Sequence, residues 1–170
     1  LKLVRGGVYT RTLFFRTEKG FVTQVENHNA RQTPLSAEQL NLIVKIPGEF
    51  SDIPHKRGIL SMARFDDPNS AESSFSFLLG DAPHLDKQYT VFGVVISGLN
   101  VLEVIEKLPP KTAYINSAEV IKRSDLPTIK LAPADTAFLK TLLNNPITQI
   151  ILLTLLILLG IGLASRFSSK

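Results

Sequence analysis

Short blocks of aromatic and β-branched residues punctuate the first two thirds of the chain, at residues 9–15, 20–25, 59–63, 75–79, 90–96 and 119–123. Turn-forming clusters such as Thr17-Glu18-Lys19 and Asp66-Asp67-Pro68-Asn69 separate them. That punctuation predicts strands. Two segments read differently. Leu99, Leu102, Ile105 and Leu108 recur at helical intervals and predict a short helix over residues 99–108. Residues 1–5, followed by Gly6-Gly7, read as the end of a helix closed by glycine. Residues 31–39 are polar and contain a proline, which predicts a loop with a helical turn opening at Ser36. The pattern as a whole predicts a mainly β barrel or sandwich with one or two helices.

The last quarter of the chain has another character. Residues 147–165, ITQIILLTLLILLGIGLAS, contain no formal charge and no polar stripe at helical spacing. As a helix they would extend roughly 28 Å, close to the thickness of a bilayer's hydrocarbon core. They predict a single transmembrane α-helix in contact with the lipid bilayer. Arg166 and Lys170 in the short tail 166–170 place that stub on the cytoplasmic side. The rest of the chain then faces the opposite compartment, or stays cytosolic if the tail inserts after synthesis. Residues 125–146, with Pro127, Pro133 and Pro146, read as a connector. It carries a short amphipathic helix over 136–143 that Asp135 would cap.

Composition narrows the chemistry. The 19 Lys and Arg against 15 Asp and Glu leave a net charge of only +4, with the basic residues scattered among acids. Nucleic-acid binders concentrate their cations along a phosphate track, so that class is excluded. There is no cysteine, which removes disulfides, thiolate metal sites and cysteine nucleophiles. His28, His55 and His84 lack any metal-ligand spacing. Asp66-Asp67 reads as part of a turn rather than a carboxylate pair. Ser73 and Ser74 lie in no nucleophile elbow, and Gly6-Gly7 is followed by no phosphate-loop lysine.

Residues 58–93, GILSMARFDDPNSAESSFSFLLGDAPHLDKQYTVFG, carry four segments in order: GILSMA, DPNSA before a Ser- and Phe-rich strand, PHLD, and QYTVFG. Together they resemble the cyclophilin signature. Upstream, YTRTLFFRTEKGFVTQVEN over residues 9–27 is similar to the family's segment that carries arginine, Gly-Phe and glutamine, without a gap. The order, with LKLVRGG before and EFSDIPHKRG between, is most similar to a divergent plant-type branch. The resemblance covers residues 1–124.

It implies a mainly β fold, a cyclophilin-like antiparallel eight-stranded barrel capped by two helices. The match begins near the end of the family's first helix. The chain is therefore expected to lack the first strands and most of helix 1, as a fragment of a longer protein or a barrel completed by a partner. The implied activity is peptidyl-prolyl cis-trans isomerisation of proline-containing polypeptides, without a metal or other cofactor. Arg16 falls on the catalytic arginine and Gln24 on the glutamine beside it. Phe21, Val22 and Leu85 fall on the proline pocket, although each also fits an ordinary core role. Ala63 and Arg64 fall on the segment lining the extended peptide. Ser74, Ser76, His84 and Tyr89 occupy further pocket positions, where the family more often has Gln, Phe, Trp and His.

The departures implied by the resemblance have consequences. Phe15 replaces the usual His beside the arginine, Val25-Glu26-Asn27 replaces Gly-Gly-Asp, and Ser76 removes an aromatic wall. Losing that wall weakens proline binding by about 1–3 kcal/mol. Two readings follow: a membrane-tethered isomerase of reduced activity that assists folding, or a weakly active binding or scaffold subunit of a membrane complex. The resemblance points to the endomembrane system, with plastid and mitochondrial membranes as alternatives.

Overall fold

The computed structural model describes residues 1–121. The expected connector, transmembrane helix and tail lie outside the described residues, and so does the end of the expected strand at 119–123. Among the described residues no helix is long and apolar enough to cross a membrane.

The chain enters through a short helix α1 (Lys2–Arg5), which Gly6 and Gly7 close, Gly7 adopting a positive φ of 68°. Strands β1 (Thr12–Glu18) and β2 (Val22–Val25) form the first hairpin. A 3-10 turn (His28–Ala30) and helix α2 (Ala37–Leu40) follow. Ser36 and Gln39 form a reciprocal capping box on α2, each side chain accepting from the other's backbone N–H. Gln39 also donates to the Gly6 carbonyl and so ties α2 to the end of α1. Next come β3 (Ile59–Met62), β4 (Phe75–Leu78), a 3-10 turn (Pro83–Leu85), β5 (Val91–Val94), helix α3 (Leu99–Lys107) and β6 (Tyr114–Ile115).

The six strands make one antiparallel sheet in the order β5-β3-β4-β2-β1-β6. The resemblance implied an eight-stranded barrel lacking its first strands in this chain; among the described residues there is a six-stranded antiparallel sheet with β5 and β6 at its edges. Three local expectations shift. Residues 9–11 belong to the turn before β1, and the strand continues through Thr17 and Glu18, which pair with Thr23 and Val22 rather than turning. β6 was not anticipated, because two residues carry too little periodicity to be seen. Residues 119–121 form no strand.

Each face of the sheet buries its own apolar cluster. On the inner face Phe14, Val25, Leu60, Phe75, Phe77 and Ile115 pack against Leu102 and Ile105 of α3. The 3.6-residue period of α3 aims those two side chains at the sheet. On the outer face Val22, Ile59 and Leu78 pack with Val91 under Ile53 and Ala82, contributed by the loops that cross there. Gly80 is needed where the β1–β2 turn leans on the sheet: a Cβ there would lie 2.2 Å from the Gly20 carbonyl oxygen.

Candidate active site

A bulge in β1 sets the site. Phe14 pairs with Val25 and Arg16 with Gln24, so Phe15 is an extra residue with no partner on β2. Simple alternation would put Phe14 and Arg16 on one face, since side chains two apart in a strand point the same way. The inserted residue breaks that rule. Phe14 stays in the inner cluster, while Arg16 stands on the outer face beside Gln24. Register then carries the row onward, with Gln24 opposite Ser76 on β4, and Ser76 opposite Ser61 on β3.

Arg16 is exposed at the end of this row. Its Nη1 donates to Gln24 Oε1 at 3.3 Å, and its guanidinium carbon lies 5.9 Å from the centre of the Phe21 ring. Its Nε donates to Glu18 Oε1 at 2.8 Å, and Nη2 sits 2.5 Å from the same oxygen. Both partners of that ion pair are about half exposed, so water and salt screen it. Gln24 is held from behind. Its Nε2 donates to Ser74 Oγ at 3.1 Å, and Ser74 Oγ donates to the Val25 carbonyl at 2.7 Å. Ser74 is buried, so the structure places it as a support for Gln24 rather than on the open surface.

The apolar side chains expected to form the pocket lie next to this row. Val22 is buried in the outer cluster, and half-buried Phe21 and Leu85 pack against it. Val22, at 3% exposure, is therefore a core residue, while Phe21 and Leu85 serve the core with one side and keep the other partly open. His84 is exposed on the 3-10 turn, its ring 5.2 Å from that of Phe21. On the far side the Arg64 guanidinium lies 4.5 Å over the Tyr89 ring. It donates to the carbonyls of Gln88, Phe65 and Asp66 and joins the loop after β3 to the segment before β5. Ala63 continues the β3–β4 ladder, its N–H donating to the Ser74 carbonyl. The residues that the resemblance implied thus gather on one face. Arg16, Gln24 and Ser76 lie in a row, Phe21, Val22, Leu85 and His84 beside it, and Arg64 on Tyr89 at its border.

Sequence reading missed the group beneath this surface. His55 is 2% exposed, yet its Nδ1 lies 2.9 Å from Asp86 Oδ1 and its Nε2 2.9 Å from Ser61 Oγ. The His55 backbone N–H donates to the same Asp86 oxygen at 2.7 Å. That backbone bond above all holds the Asp86 carboxyl below the usual carboxylate range; burial, second in size, opposes it, and the imidazole adds a smaller lowering effect. The sequence offered one small clue, an aspartate immediately after Leu85. Asp67 serves as the turn residue expected of it, its Oδ1 accepting from Asn69 N–H. Among the described residues no cluster of His, Asp and Glu has the arrangement of a metal site. A separate cleft of about 300 Å³, lined by Gly20, Arg57, Leu99 and Glu103 among others, opens against α3 and holds none of the site residues.

A sequence model of the family described as "Cyclophilin type peptidyl-prolyl cis-trans isomerase/CLD" matches residues 1–125. The chain is 54% identical over 112 residues to peptidyl-prolyl cis-trans isomerase CYP23 of Arabidopsis thaliana, covering 65% of this chain and 50% of the relative. To the human peptidyl-prolyl cis-trans isomerase-like 3 it is 38% identical over 113 residues, covering 64% and 66%. It therefore spans about half to two thirds of the length of these relatives. Among solved structures, a cyclophilin from Hirschia baltica superposes with a TM-score of 0.60 at 22% identity, over 83% of this chain and 73% of that one. This likeness supports the fold. A Cryptosporidium parvum cyclophilin-type isomerase, crystallised in the presence of the dipeptide Ala-Pro, superposes with a TM-score of 0.54 at 29% identity, over 64% and 69%. With the signature segments brought to one face of an antiparallel sheet and the family match running from residue 1 to 125, the chain belongs to the cyclophilin-type peptidyl-prolyl cis-trans isomerase family.

Proposed function

We propose that the protein catalyses cis-trans isomerisation of X-Pro bonds in extended polypeptides, with Arg16 as the catalytic donor. The observation that carries this reading is Arg16 held by Gln24 and lying over Phe21, which packs with Leu85 against Val22. Rotating a peptide bond costs about 18–20 kcal/mol because amide conjugation is lost. In the twisted state the prolyl nitrogen recovers its lone pair and accepts a hydrogen bond that neither planar isomer can. A guanidinium aimed at that nitrogen stabilises the transition state above both ground states, which is what acceleration requires. Arginine suits the task because it stays charged at any working pH. The pocket holds the ring, and Gln24, fixed by Ser74, aligns the arginine. The test is exchange spectroscopy on a tetrapeptide containing an Ala-Pro bond. Acceleration above the uncatalysed rate by the full chain supports the reading, and a background rate from folded protein overturns it.

Activity is expected to be reduced. Ser76 leaves the pocket without an aromatic wall, and the Glu18 carboxylate competes for Arg16. Restoring the wall with Ser76→Phe should lower KM for the Ala-Pro peptide by about tenfold, from about 1–3 kcal/mol of recovered apolar contact. An unchanged KM would show that position 76 does not border the ring. The Arg16–Glu18 pair is also what favours the second reading, a binding or scaffold subunit with little turnover.

The protein is further proposed to act as a single-pass membrane protein, tethered by residues 147–165 and facing clients near an endomembrane surface. The support is the nineteen-residue stretch without a formal charge. Full-length protein should stay in the membrane pellet after alkaline carbonate extraction, and a chain ending at Pro146 should be released. Release of both forms would refute the tether.

A further inference from the structure

Three functional groups in the order carboxylate, imidazole and hydroxyl lie beneath the pocket: Asp86, His55 and Ser61. The carboxylate only accepts, so Nδ1 of His55 donates to it, and Nε2 lies within hydrogen-bond distance of the Ser61 hydroxyl. Hydrolases use such an order to activate serine, but Ser61 is 3% exposed and no substrate carbonyl reaches it. The arrangement has another use. The Ala82 N–H donates to the His55 carbonyl at 2.8 Å, while Asp86 receives both the backbone N–H and the ring N–H of His55. One residue therefore grips the chain at both ends of the turn Pro83–Leu85, which carries His84 and Leu85. From its other ring nitrogen it reaches Ser61, the β3 residue that stands opposite Ser76 in the site row.

A buried imidazole costs desolvation that an apolar residue would avoid. A fully bonded polar network in such a place specifies a single arrangement of the parts it joins. We infer that His55 is a positioning residue for the proline pocket: its bonds to Asp86 and to residue 82 set the distance between Leu85 and the row of Arg16, Gln24 and Ser76. This rests on the isomerase reading, with pocket occupancy as the property controlled. His55 touches no substrate, and its loss shifts the far wall while Arg16 stays in place.

The two amide isosteres separate its bonds. In His55→Asn the side-chain nitrogen occupies the place of Nδ1 and keeps the link to Asp86. In His55→Gln the nitrogen reaches the place of Nε2, keeps Ser61 and loses the side-chain bond to Asp86, leaving only the backbone N–H on that carboxylate. With the full chain in detergent micelles and the Ala-Pro tetrapeptide as probe, His55→Gln should raise KM about tenfold at constant kcat, the signature of weakened uniform binding. His55→Asn should stay within about twofold of wild type. Asp86→Ala, at a side chain one-third exposed and so tolerant of change, removes the backbone bond as well and should raise KM at least as much as His55→Gln. The Leu85 methyl resonances should move in His55→Gln and Asp86→Ala and hold in His55→Asn. A fall in kcat at constant KM, meaning fewer folded molecules, or equal effects of Gln and Asn, would overturn the inference. Should wild type prove inactive, the isomerase reading fails alone. The Leu85 resonances then decide the positioning role, and unmoved signals in His55→Gln would end it.

Discussion

Replacing Arg16 with alanine should lower kcat/KM for an Ala-Pro peptide by about two to three orders of magnitude, the usual loss when one donor to a transition-state charge is removed. The loss should fall on kcat. The pocket formed by Phe21, Val22 and Leu85 rests on the outer apolar cluster and does not depend on the guanidinium, so ground-state binding persists. Gln24 also keeps its place, because Ser74 holds it from the other side. Arg16 is exposed and anchors no core contact, so the variant should unfold at the wild-type denaturant concentration. Line-shape or exchange measurement of both proteins at saturating peptide gives the comparison directly. A rate unchanged by the substitution would remove Arg16 from the chemistry and leave the binding-subunit reading. A smaller loss in Arg16→Lys would show that charge contributes apart from the planar fork.

The largest effect on stability should come from Phe77→Ala, at about 3–5 kcal/mol. Phe77 is 2% exposed at the centre of the inner cluster, with its ring 5.9 Å from Phe14 and 5.4 Å from Phe75. It pairs in register with Thr23 on one side and Leu60 on the other, so the cavity would open beneath three strands at once. Backbone pairing prevents those strands from closing the gap, which keeps the penalty near the upper part of the range. Domains of this size have about 5–15 kcal/mol in total, and the variant should be largely unfolded at physiological temperature if wild type lies near the lower end. The check is a denaturant titration read through the shift in midpoint at constant slope. A shift equivalent to less than about 1 kcal/mol would mean that α3 or the flanking strands repack into the space. Because Phe77 lies between Ser76 and Leu78, partial loosening of β4 should also disturb the site row.

Local features of this fold were legible in the residues. Leu99, Leu102 and Ile105 announced α3 through their spacing, and the two buried members of that set dock on the sheet. Ser36 with Gln39 announced the turn of α2, because a cap needs only groups three residues apart. Gly-Ile-Leu-Ser-Met-Ala, Asp-Pro-Asn-Ser-Ala and the segments after them supplied the family, since four short patterns in fixed order leave little room for another fold. Boundaries were harder. β1 extends to Glu18 because Val22 is there to pair with it, and β6 exists because Thr12 and Leu13 offer it an edge. Neither fact resides in the segment itself.

The site divides in the same way. Which residues were candidates for it, an arginine, a glutamine and a set of apolar side chains, followed from the resemblance that the ordered segments carry. Their common face did not, because alternation along β1 places Arg16 with Phe14, and only the count of residues on β2 reveals Phe15 as a bulge. Ser74 read as a pocket residue and stands behind Gln24 because the Val25 carbonyl lies within its reach. His55, Asp86 and Ser61 are separated by up to 31 positions and carry no spacing that pairs them. Chain-local physics, meaning side-chain period, capping and turn chemistry, is written in the order of residues. Register, burial and long-range hydrogen bonds depend on which segments meet, and that is settled only when the sheet closes over its two apolar clusters.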